Sequence, residues 1–167
     1  VSVHNTRDVS KSPYHDLLFN GNCIPNSSVV TEKDIIEKIG EFSENKEFIS
    51  VEDYDLWLRV AAINCRFVYL PKSLGGYLTH DSNITIDPLK TIEKEKALIK
   101  KYQAFESPIN ANELYRSYSY AWGRRIFLSG RNIKDAIPYF KTALQSAQLV
   151  IKIKSLRSGA RGHFFRD

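Results

Sequence analysis

Glu52, Asp53 and Asp55, with Trp57 and Arg59, place three carboxylates, an indole and a guanidinium within eight residues, and apolar sequence follows directly. At about 100° per residue, residues 51–64 are expected to form a helix with distinct faces. Val51, Tyr54, Leu58, Ala61, Ala62 and Cys65 share an apolar arc, and Glu52, Asp55 and Arg59 share a polar one. Asp55 and Arg59 stand four residues apart, a spacing that lets them pair. Asp53 belongs to neither arc: it falls beside Leu56, Trp57 and Val60, with Asn64 as its polar company. A carboxylate among large apolar groups is costly unless satisfied, and its pKa rises. Facing a cleft, such a group is a candidate general base.

The same letters allow a structural role. Ser50 and Asp53 have the spacing of a capping box, in which Asp53 returns a hydrogen bond to the Ser50 amide. Acidic residues in a first turn also suit the helix dipole. The pattern alone leaves both roles open and names no reaction.

The elements that must position this stretch are bounded by the whole chain. Its 167 residues suffice for one domain with a core, or for a small domain with an appendage. The net charge of +5 permits an anionic partner without demanding one. Cys23 and Cys65 lie far apart, so neither a metal cluster nor a disulfide framework is expected, and a reducing, cytoplasmic compartment fits. No run approaches the roughly 18 apolar residues of a membrane span, and no signal peptide precedes the first motif. Methionine is absent and the chain begins at Val1, which leads to the expectation of a piece of a longer protein.

In chain order, residues 1–16 are polar and read as a loop, with His4 and His15 solvated. Asn20, Gly21 and Asn22 signal a turn. Ser27, Ser28, Val29 and Val30 read as a short strand after Pro25. Thr31 is expected to cap a helix carrying Ile35, Ile36 and Ile39, with Gly40 ending it. A charged loop leads to the acidic helix. Phe67, Val68, Tyr69 and Leu70 alternate as a strand stopped by Pro71, and Gly75 and Gly76 mark a bulge or close backbone approach. Helical sequence follows a linker at residues 80–88, with later helices expected over residues 112–129 and from about Lys134. Ala136, Phe140 and Ala143 are similar in spacing to one tetratricopeptide hairpin, although a lone unit is not a repeat array. Lys152, Lys154, Arg157, Arg161 and Arg166 give a basic end, either frayed or in contact with an anionic membrane.

Several of these features, taken together, resemble the second half of a bacterial family-2 glycosyltransferase with the GT-A fold. They are Asn22 and Ile24 with Ser27 to Val30; Ile39, Gly40, Glu41 and Phe42; the acidic run from Glu52 to Arg59; Phe67 to Leu70; and Tyr77 three residues before His80. The acidic run is the specific part, and the resemblance spans residues 17–86. It implies an α/β fold: an acceptor-side GT-A half with short mixed strands over residues 1–86, a helical hairpin extension over 87–153, and a basic tail over 154–167. It implies an inverting enzyme that moves a sugar from a nucleotide-diphosphate donor to a hydroxyl of a glycan or lipid-linked acceptor.

In that family Asp53 is the general base, and Glu52 places the acceptor or supports the base. Trp57 and Arg59 hold the helix. His80 stands where many such enzymes offer a histidine to a divalent metal, Mg or Mn; a hydrogen-bonded strand-end histidine is the other reading. The family's donor-binding half carries an Asp-x-Asp metal motif after a strand. Asp53, Tyr54 and Asp55 have the letters but lie in a helix, and no glycine-rich phosphate loop is present. The isolated chain is therefore expected neither to bind a nucleotide-sugar or metal tightly nor to turn over. In the cell it is expected in the cytoplasm, with membrane-surface contact through the basic tail.

A different class of function is a non-catalytic helical interaction module, with Tyr115, Tyr118, Tyr120 and Trp122 forming an aromatic groove. Solvent-facing rings would mark a binder and buried rings a support. Nucleic-acid binding is not expected, because the basic residues are scattered and no recognised module occurs.

Overall fold

The computed structural model describes residues 6–73, 75–76 and 87–147. The chain divides into two compact units, Val1–Ile86 and Asp87–Asp167. The first contains α1 (Pro13–Asn20), α2 (Lys33–Ile39) and α3 (Glu52–Ala62). The second contains α4 (Pro88–Gln103), α5 (Pro108–Leu128) and α6 (Ile133–Ala143).

This overturns the α/β expectation. The described residues are helical, with no strand and no sheet among them. Asn26–Ser28 closes a single 3-10 turn instead of opening a strand, with Ser28 Oγ donating to the Pro25 carbonyl at 2.7 Å. Residues 66–70 have the alternation of a strand but no described neighbour to pair with, and Val68 and Leu70 are exposed. Alternation signals a half-buried strand only when a second chain segment satisfies the backbone and covers one face. Without that, the local preference has nothing to act on. Of the Gly-Gly pair, Gly75 and Gly76 have no heavy atom within 4 Å of an added Cβ, so no close approach explains them.

In the first unit, Leu17 and Leu18 of α1 and Val51, Phe48, Tyr54, Leu56, Trp57, Leu58 and Val60 form the buried core. α1 takes in residues 13–16, the end of the stretch expected as a loop. Pro13 begins it at a position where the missing N–H costs nothing, and Gly21 ends it with its N–H on the Leu17 carbonyl. Arg7 fixes both ends, its Nε donating to Asp16 Oδ1 and its Nη2 to the Gly21 carbonyl, each at 2.8 Å. α2 stops at Gly40 as expected. Gly40 has φ +85°, its N–H reaches the Glu37 carbonyl, and the Glu41 N–H reaches that of Ile36. This is the Schellman pattern, for which glycine alone is free of Cβ strain. The cap expected from Thr31 is not made: Glu32 occupies that position without a side-chain bond.

Among the described residues of the second unit, α5 packs against both α4 and α6. Each helix has a sequence-encoded start. Asp87 accepts from the Leu89 N–H, Ser107 from Asn110 and Asn132 from Lys134, and proline follows directly in α4 and α5. Such caps satisfy amide donors that the helix leaves free. Ile92, Leu98, Ile99, Leu114, Trp122, Ile126 and Phe140 fill the interior.

Candidate functional site

α3 positions the acidic residues, and its start differs from the capping-box expectation. Ser50 takes the left-handed conformation, with φ +78°. Val51 is the N-cap and makes no side-chain cap bond. Displaced by one residue, Ser50 does not cap the helix. Asp53 Oδ1 instead accepts from the Tyr54 N–H at 2.7 Å. Asp53 is half-buried, and its pKa is raised above the ordinary carboxylate value. Burial is the main cause, opposed by the Tyr54 amide and reinforced by the charge of Glu52.

Glu52 precedes it on the same turn. Its Oε2 is buried without a hydrogen-bond partner, as is Trp57 Nε1. Trp57 follows Asp53 by one turn on the same side of the helix and is 4 % exposed. Two turns of α3 thus combine a half-buried carboxylate, a second carboxylate with an unmet acceptor oxygen, and an unmet indole donor. Buried polar groups without partners are uncommon. Among the described residues they are Glu52 Oε2 and Trp57 Nε1 on α3, and Ser117 Oγ and Arg125 Nη1 on α5.

Asp55 and Arg59 form the pair their spacing suggested, Nε to Oδ2 at 2.8 Å. The arc they share is not a solvent face, because Asp55 is 1 % exposed. Arg59 also donates Nη1 to the Ile39 carbonyl at 2.7 Å and Nη2 to that of Glu41 at 2.6 Å. Its guanidinium closes the C-terminal end of α2, where the last carbonyls have no helical donor. The fork geometry of arginine suits three acceptors at once. Tyr54 ties the other side of α3, its hydroxyl donating to the Leu17 carbonyl at 2.6 Å. Sequence reasoning had placed Tyr54 on the apolar arc and missed this tie, since no local pattern announces a distant carbonyl.

His80 lies outside the described residues, as does the basic stretch at 154–167. Among the described residues, no three His, Cys, Asp or Glu side chains gather as a metal site. No described helix is long and apolar enough to cross a membrane.

No protein-family model, curated protein or solved structure matches this chain. The functional reading therefore rests on the residues of α3 themselves.

In the second unit the aromatic residues of α5 divide. Trp122 and Tyr118 are buried, Tyr120 is half-buried near Phe140, and Tyr115 is the exposed one. Trp122 Nε1 donates to Glu95 Oε2 at 2.7 Å, and Arg125 pairs with the other oxygen of Glu95 at 2.8 Å. Lys96 lies 5.9 Å from the centre of the Trp122 ring and 5.2 Å from that of Tyr139. Hydrogen bonds to Glu93 and Tyr139 raise its pKa, against a lowering by burial that is the largest single influence.

Proposed function

We propose that Asp53 is the general base of an inverting sugar transfer, and that this chain is the acceptor-side part of an enzyme similar to the family-2 glycosyltransferases. The observation that carries the reading is the state of Asp53. Its carboxyl is half-buried beside Glu52, is not spent on the Ser50 amide, and holds its proton more readily than an ordinary aspartate. A base is most effective when its pKa approaches the working pH, and partial burial moves a carboxyl in that direction.

Asp53 takes the proton of an acceptor hydroxyl as that oxygen forms a bond to the anomeric carbon of the donor sugar. The bond from that carbon to the diphosphate oxygen breaks, and the nucleotide diphosphate leaves with the electron pair. Attack opposite the leaving group inverts the anomeric configuration. Glu52 supports the base through its neighbouring negative charge, which helps keep the Asp53 pKa raised. Arg59 acts at a distance, because its bonds to Asp55, Ile39 and Glu41 hold the helix that presents Asp53.

The test is Asp53→Asn in the intact enzyme, assayed for transfer from nucleotide-diphosphate sugars. A positioned base contributes about 10²–10⁴ in rate, so a loss in that range is expected. Transfer within about tenfold of the parent would remove Asp53 from the role.

The alternative of an aromatic binding groove on α5 has less support. Burial of Trp122 and Tyr118 leaves Tyr115 without a neighbouring exposed ring from that set.

A further inference from the structure

The turn joining α4 to α5 exposes two large apolar side chains. Phe105 is 77 % exposed and Ile109 81 %. They stand four residues apart, on either side of the Ser107 cap that starts α5. Soluble surfaces carry single exposed apolar residues without consequence, but two at one helix corner make a protruding pair. Lys100 and Lys101 occupy the last turn of α4, directly before this corner, and both are exposed.

The last described residues after α6 also meet α5. Glu113, in the second turn of α5, accepts from Ser146 Oγ and, at 3.0 Å, from the Ala147 N–H. The chain that follows α6 is therefore held against the start of α5, the end that carries Phe105 and Ile109.

We propose that the α4–α5 corner is a peripheral docking point for an anionic lipid surface, with Phe105 and Ile109 entering the interface and Lys100 and Lys101 meeting acidic headgroups. Apolar protrusion and flanking lysines address the two components of such a surface, acyl chains and negative charge. A protein partner of matching shape would use the apolar pair without needing a basic rim. The proposal is independent of the role of Asp53.

Vesicle flotation tests it, with phosphatidylcholine vesicles compared with vesicles that also contain phosphatidylserine. The parent chain is expected to float with the anionic vesicles and to be released by salt. The double variant F105S/I109S is expected to lose binding by about tenfold or more, since both apolar anchors are removed. The double variant K100E/K101E is expected to lose the preference for phosphatidylserine. Both pairs are exposed, so unfolding midpoints serve as the folding control and should stay at the parent value. Undiminished flotation of F105S/I109S overturns the proposal and assigns lipid binding to the basic chain after α6. Absence of flotation by the parent overturns it as well. So does concentration-dependent self-association that F105S/I109S abolishes, which makes the corner a protein contact.

Discussion

Arg59 of α3 donates to the Ile39 carbonyl, the last of α2, at 2.7 Å, so the end of one helix is completed by a side chain of another. The same guanidinium neutralises Asp55, which is almost fully buried. Removing it leaves a buried carboxylate without its charge partner and uncaps α2. Arg59→Ala is expected to cost about 3 kcal/mol, in the range for breaking a buried pair. Arg59→Lys should recover part of this, because lysine keeps the charge but not the fork. Urea unfolding followed by circular dichroism measures both, and a loss below about 1 kcal/mol for the alanine variant would contradict the arrangement.

Asp53 makes an opposite prediction for stability. Its pKa in the folded chain is raised above 3.8, chiefly by burial. A raised carboxyl favours the folded state while protonated, and that contribution is lost as pH rises through the folded pKa. Asp53→Asn removes the ionisation, so the variant should unfold at higher temperature than the parent at pH 7. The gain should shrink in acid and vanish below the unfolded carboxyl pKa of about 3.9. Thermal melts across pH 3–7, an interval of about four units set by that carboxyl range, decide it. A gain that persists unchanged into acid would assign the effect to something other than charge. Together with the expected loss of transfer, this variant would exchange activity for stability, as active-site substitutions often do.

The two tryptophans should respond differently to the same change. Trp122 Nε1 donates to Glu95, whereas Trp57 Nε1 has no partner. Substitution by phenylalanine costs packing at both positions. At Trp122 it also deprives Glu95 of a donor in the interior. Trp122→Phe should therefore cost about 1–2 kcal/mol more than Trp57→Phe. Equal losses would mean that the Trp57 N–H is satisfied in solution.

Gly123 lies where α5 meets α6. A Cβ there would sit 3.0 Å from Phe140 Cε1 and 3.2 Å from Tyr139 Cβ. Alanine gains about 1 kcal/mol of helix propensity over glycine, while overpacking a filled site costs about 1–3 kcal/mol. Gly123→Ala should therefore be destabilising by about 1 kcal/mol. Chemical denaturation gives the sign, and a stabilised variant would show that Phe140 yields without cost.

The helices were legible where apolar period and terminal signals agreed. α3 was expected over residues 51–64 and spans Glu52–Ala62, and Gly40 was recognised as the stop of α2. α5 begins one turn before its expected start, because Ser107 and Pro108 form a helix entrance that the apolar pattern does not reach. α1 was lost for a similar reason: Ser12 and Pro13 signal a helix start, but Tyr14, His15 and Asp16 dilute the apolar period. The strands were misread because Val29, Val30 and residues 67–70 have strand-like side chains, while strand formation depends on a neighbour that local sequence does not specify. At the candidate site, Asp53 and the Asp55–Arg59 pair could be read from spacing. The failed capping box could not, because it depends on the positive φ of Ser50.

The tie between Tyr54 and Leu17 ends on a peptide oxygen, which also receives the Gly21 N–H. Any residue placed at position 17 would still offer that oxygen. This hydrogen bond is thus insulated from side-chain drift on the α1 side and vulnerable on the α3 side, where the loss of a single phenolic oxygen would remove it. Relatives of this chain should therefore vary more freely in aliphatic character at position 17 than in the hydroxyl at position 54.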